Sequence, residues 1–294
     1  MLYYTFGFDL INEINYRNNM AIYNIRKNPK NPVLITVPHS GSFYPELFKK
    51  YIKLDLDKIR KIEDYQSDKI LKLIKKESVD ILIAKCSRAV VDLNRSRMSI
   101  DNDMFNGIVI IGQPDEKKML SYGLGVFPKI ISNKSIFKTK LSISYSKKML
   151  EEYYDPFHKS LSNQLEFLLK KFGFCYHFDL HTMPSKALNH FKIKPDIVLG
   201  NNFGKSSSEN LIYNIKNRFE KFGLKVEINN PYAGGYITRH YGNPLVGIET
   251  IQIEINRSLY MDETNLKIHK INYQQKIFSE IFNNFGYSKR EAAE

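Results

Sequence analysis

Two histidines, a short acidic run, three arginines and one late glutamate are the residues in this chain that can do chemistry together. His39 follows the apolar run Val33-Leu-Ile-Thr-Val37 across Pro38, and His181 closes the run Phe174-Cys-Tyr-His-Phe-Asp-Leu-His181. Neutral imidazole is the commonest metal ligand, and a strand end holds it rigidly while a neighbouring carboxylate fixes its tautomer. Asp179 lies two residues before His181, on the same face of a strand, and can supply that carboxylate. A catalytic zinc usually takes three protein ligands and leaves a fourth position to water, so two histidines need one acidic residue more. Glu63, Asp64 and Asp68 are the candidates. On a helix, Asp64 and Asp68 share a face and Glu63 is turned away. That favours Asp64 as ligand, with Asp68 as its support and Glu63 beside it, although the choice among the three stays open. The plain alternative is a solvated acidic turn among Lys58, Arg60 and Lys61.

The segment Gln252-Ile-Glu-Ile-Asn256 alternates, which places Gln252, Glu254 and Asn256 on one strand face. A glutamate among buried apolar neighbours needs a partner or a job. Beside an activated water it can take a proton and return it to a leaving amine. Arg88 and Arg95 stand near strand ends and Arg239 follows a glycine-rich turn. Guanidinium forks bind carboxylates bidentately and stabilise oxyanions, which suits an anionic substrate with a carbonyl under attack.

Other residue types read more plainly. His158 and His177 fit packing or surface roles better than ligation. Ser40 and Ser42 flank His39 without a Gly-x-Ser-x-Gly elbow, and Gly123-Leu-Gly125 lacks the Lys-Ser/Thr of a phosphate loop. Cys86 and Cys175 are too few for a disulfide framework or a four-thiolate zinc site and read as small buried residues.

These residues need a scaffold, and the pattern supplies one. Short β-branched runs at Pro32 to Pro38, Val79 to Ala84, Val90 to Leu93, Phe174 to His181, Asp196 to Gly200, Lys225 to Ile228 and Val246 to Ile255 read as strands. Between them, apolar residues at helical spacing predict helices over Leu56 to Lys76, over Leu141 to Phe172 with a kink near Pro156 and a cap at Gly173, over Ser208 to Phe222, and over Asn265 to Phe285. Asp101 to Asn133, punctuated by Gly107, Gly112, Pro114, Gly123, Gly125 and Pro128, reads as a long functional loop or lid. The alternation implies one α/β domain over residues 1–294, with a mixed, mostly parallel twisted sheet and helices on both faces. In such sheets ligands bind outside the carboxyl ends of the strands, and His39, Asn94-Arg95, His181 and Glu254 all fall there.

Composition narrows the partners. The 294 residues carry 44 Lys and Arg against 31 Asp and Glu, a formal net charge of +13. The excess is spread thinly, with no block of five or six like charges and no RNA-binding or zinc-finger signature, so it reads as solvated surface rather than a nucleic-acid interface. No run approaches the roughly 18 to 20 apolar residues of a membrane helix, and the opening residues lack a basic then apolar leader, which predicts a cytoplasmic protein with no membrane partner. Oligomeric state leaves no trace in the sequence.

The chain resembles the N-formylglutamate amidohydrolases, also called N-formylglutamate deformylases. The resemblance lies in VPHSGSFYP (Val37 to Pro45), IEDYQSD (Ile62 to Asp68), SRAVVDLNR (Ser87 to Arg95), GLGVFPK (Gly123 to Lys129), DLHTMP (Asp179 to Pro184), DIVLG (Asp196 to Gly200), NPYAGGYITRHYG (Asn230 to Gly242) and QIEINRSLYMDE (Gln252 to Glu263), in order along most of the chain. It implies a branch of the zinc carboxypeptidase and aspartoacylase superfamily, with an eight-stranded mixed sheet. It further implies one zinc per chain, or another divalent metal, on His39, an acidic residue and His181. Asn94 and Arg95 would grip the substrate α-carboxylate, Arg88 would polarise the scissile carbonyl, and Glu254 would be general base. The implied reaction is hydrolysis of N-formyl-L-glutamate to glutamate and formate, in histidine breakdown. A related N-acyl amino acid amidohydrolase, a carboxypeptidase-like hydrolase and a basic anion-binding protein without activity are the other readings. The superfamily's His-x-x-Glu ligand pair has Ser42 in the glutamate's place, so the acidic ligand must come from elsewhere. For a γ-carboxylate, Arg239 is the candidate cation, because it follows Tyr232-Ala-Gly-Gly-Tyr236, whose glycines permit close approach of backbone to ligand; Arg257, Lys129 and the loop from Asp101 to Asn133 are the alternatives.

Overall fold

The computed structural model describes residues 23–26, 30–110, 114–283 and 285. The opening residues 1–22, from which the lack of a leader was read, lie outside the described residues, as does Gly112 of the long loop. In chain order the strands are β1 (Tyr23–Arg26), β2 (Val33–Val37), β3 (Asp80–Ala84), the hairpin β4 (Ile130–Ile131) and β5 (Lys134–Ser135), β6 (Cys175–Met183), β7 (Ile197–Gly200), β8 (Val226–Ile228), β9 (Ile248–Asn256), and the hairpin β10 (Met261–Asp262) and β11 (Lys267–Ile268).

Seven of these form one sheet in the order β1-β3-β2-β6-β9-β7-β8. β3, β2, β6 and β9 run parallel; β7 is antiparallel to β9 and parallel to β8, and β1 is antiparallel to β3 at the far edge. The sheet is mixed and mostly parallel, as its pattern implies. The superfamily resemblance implies eight strands, and seven are present in the main sheet among the described residues.

Period-two alternation sorts the strands into two faces. One face presents Val33, Ile35, Val37, Phe178, Leu180, Ile251, Ile253 and Ile255, all buried, to the helices Glu209–Glu220 and Ile271–Asn283. The other carries Leu34, Leu82 and Cys175 against the long helix Asp155–Phe172, with Leu161, Leu165 and Leu168 in that core. At the centre of this second face the pattern turns polar. Thr36 on β2, His177, Asp179 and His181 on β6, and Thr250, Gln252 and Glu254 on β9 are all buried. The register pairs Thr36 with Asp179, His177 with Thr250, Asp179 with Gln252 and His181 with Glu254, so these side chains stand in adjacent rows.

The helix over Leu141 to Phe172 is interrupted rather than continuous. Helix Ile143–Met149 passes through a π-helical turn at Leu150–Tyr154 into Asp155–Phe172, with Pro156 just after that turn and Gly173 at φ +82° as cap.

Three expected elements differ. Leu56 to Lys76 is not one helix but a short helix Leu56–Ile59, a 3-10 turn Arg60–Ile62, extended backbone at Glu63, and a second 3-10 turn Ser67–Leu71. Glu63 and Asp64 are buried and bonded to distant partners, and those tertiary bonds override the helical spacing. Val90 to Leu93 is a series of turns; its β-branched residues fill the core beneath a loop instead of pairing. The last helix begins at Ile271, because residues 265–270 belong to the β10–β11 hairpin and its exit. No helix of the described residues is long and apolar enough to cross a membrane.

Candidate metal centre

His39, Asp64 and His181 converge at the carboxyl ends of the parallel strands. His39 leaves β2, and His181 lies near the end of β6. Asp64 reaches them from the irregular 60–67 segment, where its backbone N–H donates to the His39 carbonyl at 3.0 Å. That bond is possible only because the segment is not helical, and it locks ligand to ligand through the main chain. His181 Nδ1 lies 3.1 Å from His39 Nδ1 and 3.2 Å from Asp64 Oδ2, and His39 Nδ1 lies 3.7 Å from the same oxygen. Donors about 2.0 to 2.1 Å from a tetrahedral zinc sit about 3.3 Å from one another. The spacing of these three atoms therefore fits such an ion, and they are the one group of this kind among the described residues.

The outward atoms of all three are already bonded, as ordered metal ligands require. His39 Nε2 contacts Asp92 Oδ1 at 2.7 Å, and His181 Nε2 contacts Asp179 Oδ2 at 2.8 Å. Asp64 Oδ1 accepts from Arg257 Nη2 at 2.9 Å, and its Oδ2 from the Thr182 N–H at 3.1 Å. Arg88 in turn donates to Asp92 Oδ2, at 2.6 Å from Nη2. Charge governs protonation throughout. Burial disfavours the ionised Asp64, yet His181, His39 and Arg257 hold its carboxyl well below the usual range. Asp92 is likewise held well below it by Arg88 and His39 against burial. Burial also opposes a charged His181, but Asp179 and Asp64 raise its pKa well above the ordinary imidazole value. Two carboxylates facing one imidazole make a place for positive charge, carried by a proton or by an ion.

Glu254 stands on β9 opposite His181, 8% exposed, with its Oε1 accepting from Gln252 Nε2 at 2.8 Å. Burial pushes its carboxyl up to about 7, with Asp64 adding to the effect and His181, Arg88 and Arg257 opposing it. A carboxylate poised near neutrality is suited to take up and release a proton. Asn94 is buried beside the same row: its Oδ1 accepts from the Ile237 N–H at 2.7 Å and its Nδ2 lies 3.1 Å from His181 Nε2. Two side chains from the turn of the long helix bracket it. The His158 ring bonds the Leu93 carbonyl at 3.0 Å, and the Tyr154 hydroxyl donates to the Arg95 carbonyl at 2.8 Å.

The remaining candidates stand further out. The Arg95 guanidinium donates to the Leu124 carbonyl at 2.9 Å and to the Asn94 carbonyl at 3.3 Å. Arg239 is 41% exposed and pairs with Glu116 at 2.7 Å, while its Nη1 donates to the Gly234 carbonyl. Two acidic residues do not support the centre as expected. Asp68 is part-exposed beside Lys69 at 3.4 Å, because the break after Ile62 takes it off the Asp64 face. Glu63 turns the opposite way, accepting from the Tyr44 hydroxyl and facing Arg60 at 3.5 Å. Asp92 and Arg257, the partners of His39 and Asp64, were not picked out as such by sequence reasoning. Asp92 had a visible signal, a lone carboxylate inside the apolar stretch Ala89-Val-Val-Asp-Leu93.

The loop 230–236 is brought down onto the site by glycine. A Cβ on Gly200 would meet the backbone of Ala233 and Gly234 at 2.7 Å, and a Cβ on Gly235 would overlap the Asn94 side chain. Gly235→Ala should therefore displace Asn94 and lower kcat/KM by on the order of a hundredfold, with the melting transition retained. Steady-state kinetics beside a thermal melt checks this, and unchanged kcat/KM would show that the close approach is unused.

Fold and site together define an α/β protein whose candidate metal centre sits at the carboxyl edge of a mixed sheet. The chain belongs to the N-formylglutamate amidohydrolase family, whose model matches residues 31–261. It is 28% identical over 242 residues to an N-formylglutamate deformylase of Pseudomonas putida, covering 79% of this chain and 83% of that one, and 26% identical over 245 residues to one from Pseudomonas aeruginosa, covering 81% and 85%. Among solved structures it is similar to the N-formylglutamate amidohydrolase of Ralstonia eutropha JMP134, at 26% identity and a TM-score of 0.83, covering 90% of this chain and 97% of that chain.

Proposed function

We propose that this protein hydrolyses N-formyl-L-glutamate to L-glutamate and formate with one zinc, or another divalent ion, held by His39 Nδ1, His181 Nδ1 and Asp64 Oδ2. The observation that carries the reading is the convergence of these three buried donors at ligand spacing, each backed by a bonded partner. The names and extents of the relatives support the substrate. When bound, zinc lowers the pKa of a coordinated water toward about 7 and polarises a carbonyl oxygen. Glu254 takes the proton from the attacking water and returns it to the departing nitrogen. Arg88, anchored by Asp92, adds positive charge where the carbonyl oxygen becomes anionic. Asn94 and Arg95 bind the α-carboxylate, for which the Asn94 amide is already held by its bond to Ile237.

The γ-carboxylate falls to Arg239, now occupied by Glu116. The Arg239 side of this pair is 41% exposed, so a substrate carboxylate can reach the guanidinium and replace Glu116 there. Arg239→Met should lower kcat/KM for formylglutamate by roughly tenfold or more and for formylglutamine much less, since a charge-assisted bond is worth about 1.5 to 3 kcal/mol. Equal losses on the two substrates would remove Arg239 from side-chain recognition.

The test of the whole reading is direct. Purified protein should contain about one zinc per chain and release formate from N-formyl-L-glutamate, losing both on chelation and regaining both with added zinc. Formate release that persists at full rate after the metal is stripped would sink the metal-dependent reading. Zinc uptake without formate release, or with preference for another N-acyl amino acid, would move the assignment to a related amidohydrolase or to a binding protein.

A further inference from the structure

A hydrogen-bonded chain runs from the candidate metal centre into the polar face of the sheet, and beyond Asp179 its members have no part in the chemistry above. Asp179 bonds His181 Nε2 through Oδ2 and accepts from the Thr36 hydroxyl through Oδ1 at 2.6 Å. Thr36 Oγ1 also lies 2.9 Å from His177 Nε2, and His177 Nδ1 lies 3.3 Å from Thr250 Oγ1. Thr36, His177, Asp179 and Thr250 are each 0% exposed, on three adjacent strands.

The donors can be ordered by counting. The Thr36 hydroxyl donates to Asp179 Oδ1 at 2.6 Å, so its single proton is committed there. Thr36 Oγ1 can then only accept from His177, which puts the His177 proton on Nε2. Burial pushes the His177 pKa down to about 4, so the ring is neutral and its Nδ1 is left to accept from Thr250. At the other end, Asp179 Oδ2 accepts from His181 Nε2–H, and His181 Nδ1 faces His39 and Asp64. The bonds from Thr250 on β9 through His177 on β6 and Thr36 on β2 all point toward Asp179, which also accepts from His181 on its other oxygen.

We propose that His177 is a positioning residue: acting through Thr36, it orders this chain so that Asp179 holds the His181 ring with its Nδ1 turned toward His39 and Asp64. The inference rests on reading His181 as a metal ligand and deepens it. Partners one bond beyond a ligand typically change metal affinity by about 10- to 100-fold. His177 and Thr36 lie one step further still, so their effect belongs at the low end of that range.

Zinc affinity, measured by competition with a chromophoric chelator on the folded full chain, tests this with three variants. Thr36→Val keeps shape and removes the hydroxyl, and His177→Phe keeps bulk and removes the Nε2 donor; each should weaken zinc binding about tenfold. His177→Gln offers an amide N–H to Thr36 and should recover affinity to within about threefold of the parent, which a packing role alone would not produce. Where His177→Phe does not fold, the Thr36→Val result decides. Parent-like zinc affinity in Thr36→Val, or a His177→Gln variant as weak as His177→Phe, overturns the proposal. Ring-nitrogen NMR on the metal-free chain separates it from the metal reading itself. A neutral His177 carrying its proton on Nε2 supports the ordered chain even in a protein that takes up no zinc, and a proton on Nδ1 alone overturns it.

Discussion

His181→Ala and His39→Ala should each reduce bound zinc from about one per chain to near zero and lower turnover by on the order of a thousandfold or more. A site with three protein ligands seldom retains its ion after losing one, and without the ion the attacking water reverts toward its bulk acidity. The structure sharpens the expectation for the third member. Asp64 also neutralises Arg257, which is 6% exposed and bonded to it at 2.9 Å. Asp64→Ala should therefore lose zinc and also destabilise the fold by about 3 to 5 kcal/mol, the usual effect of leaving one member of a buried ion pair without its partner. Metal analysis, formate release and thermal melts on the three variants read these losses separately. Full zinc content in any one of them would remove that residue from the ligand set.

Glu254→Gln should behave in the opposite sense on metal content. The amide keeps the shape of the side chain but cannot take a proton, so zinc should stay near one per chain while kcat falls by about 10² to 10⁴. A second readout follows from the raised carboxyl. A carboxylic acid with a higher pKa in the fold than in the unfolded chain binds more protons when native, so its effect on stability worsens as pH rises between those two values. For Glu254 the window runs from 4.5 to about 7. In the metal-free protein the melting temperature of Glu254→Gln relative to the parent should climb through that window and then level. Parent-like turnover would remove Glu254 from the reaction, and a flat difference in melting temperature would show that its carboxyl is not raised by burial.

Local chemistry made much of this site legible beforehand. A histidine after a β-branched run must stand at a strand end, and Asp179 two residues before His181 must share its face, whatever the rest of the chain does. The alternation of Gln252, Glu254 and Asn256 fixed their common face for the same reason, and the structure places that face beside His181. Helical spacing was a poorer guide around Asp64. There the buried carboxylates took partners far away in sequence, and the segment broke into turns to reach them. Asp68 was assigned as a support on the strength of a helix that does not form.

Period and residue type, then, determined the class of fold, most of the parallel strands, the two histidines with Asp179, and the late glutamate, because each depends on neighbours within a few positions. The tertiary structure alone decided that Asp64 is the acidic residue meeting the two histidines, that Asp92 and Arg257 back His39 and Asp64, and that Arg239 rests on Glu116. These are contacts across 53 to 193 residues of chain, such as Asp64 with Arg257, Asp64 with His181 and His39 with Asp92. No periodicity encodes such contacts. They arise when parallel strands distant in sequence are laid side by side and their carboxyl ends meet at one edge, where a buried charge must find a partner or not be buried at all.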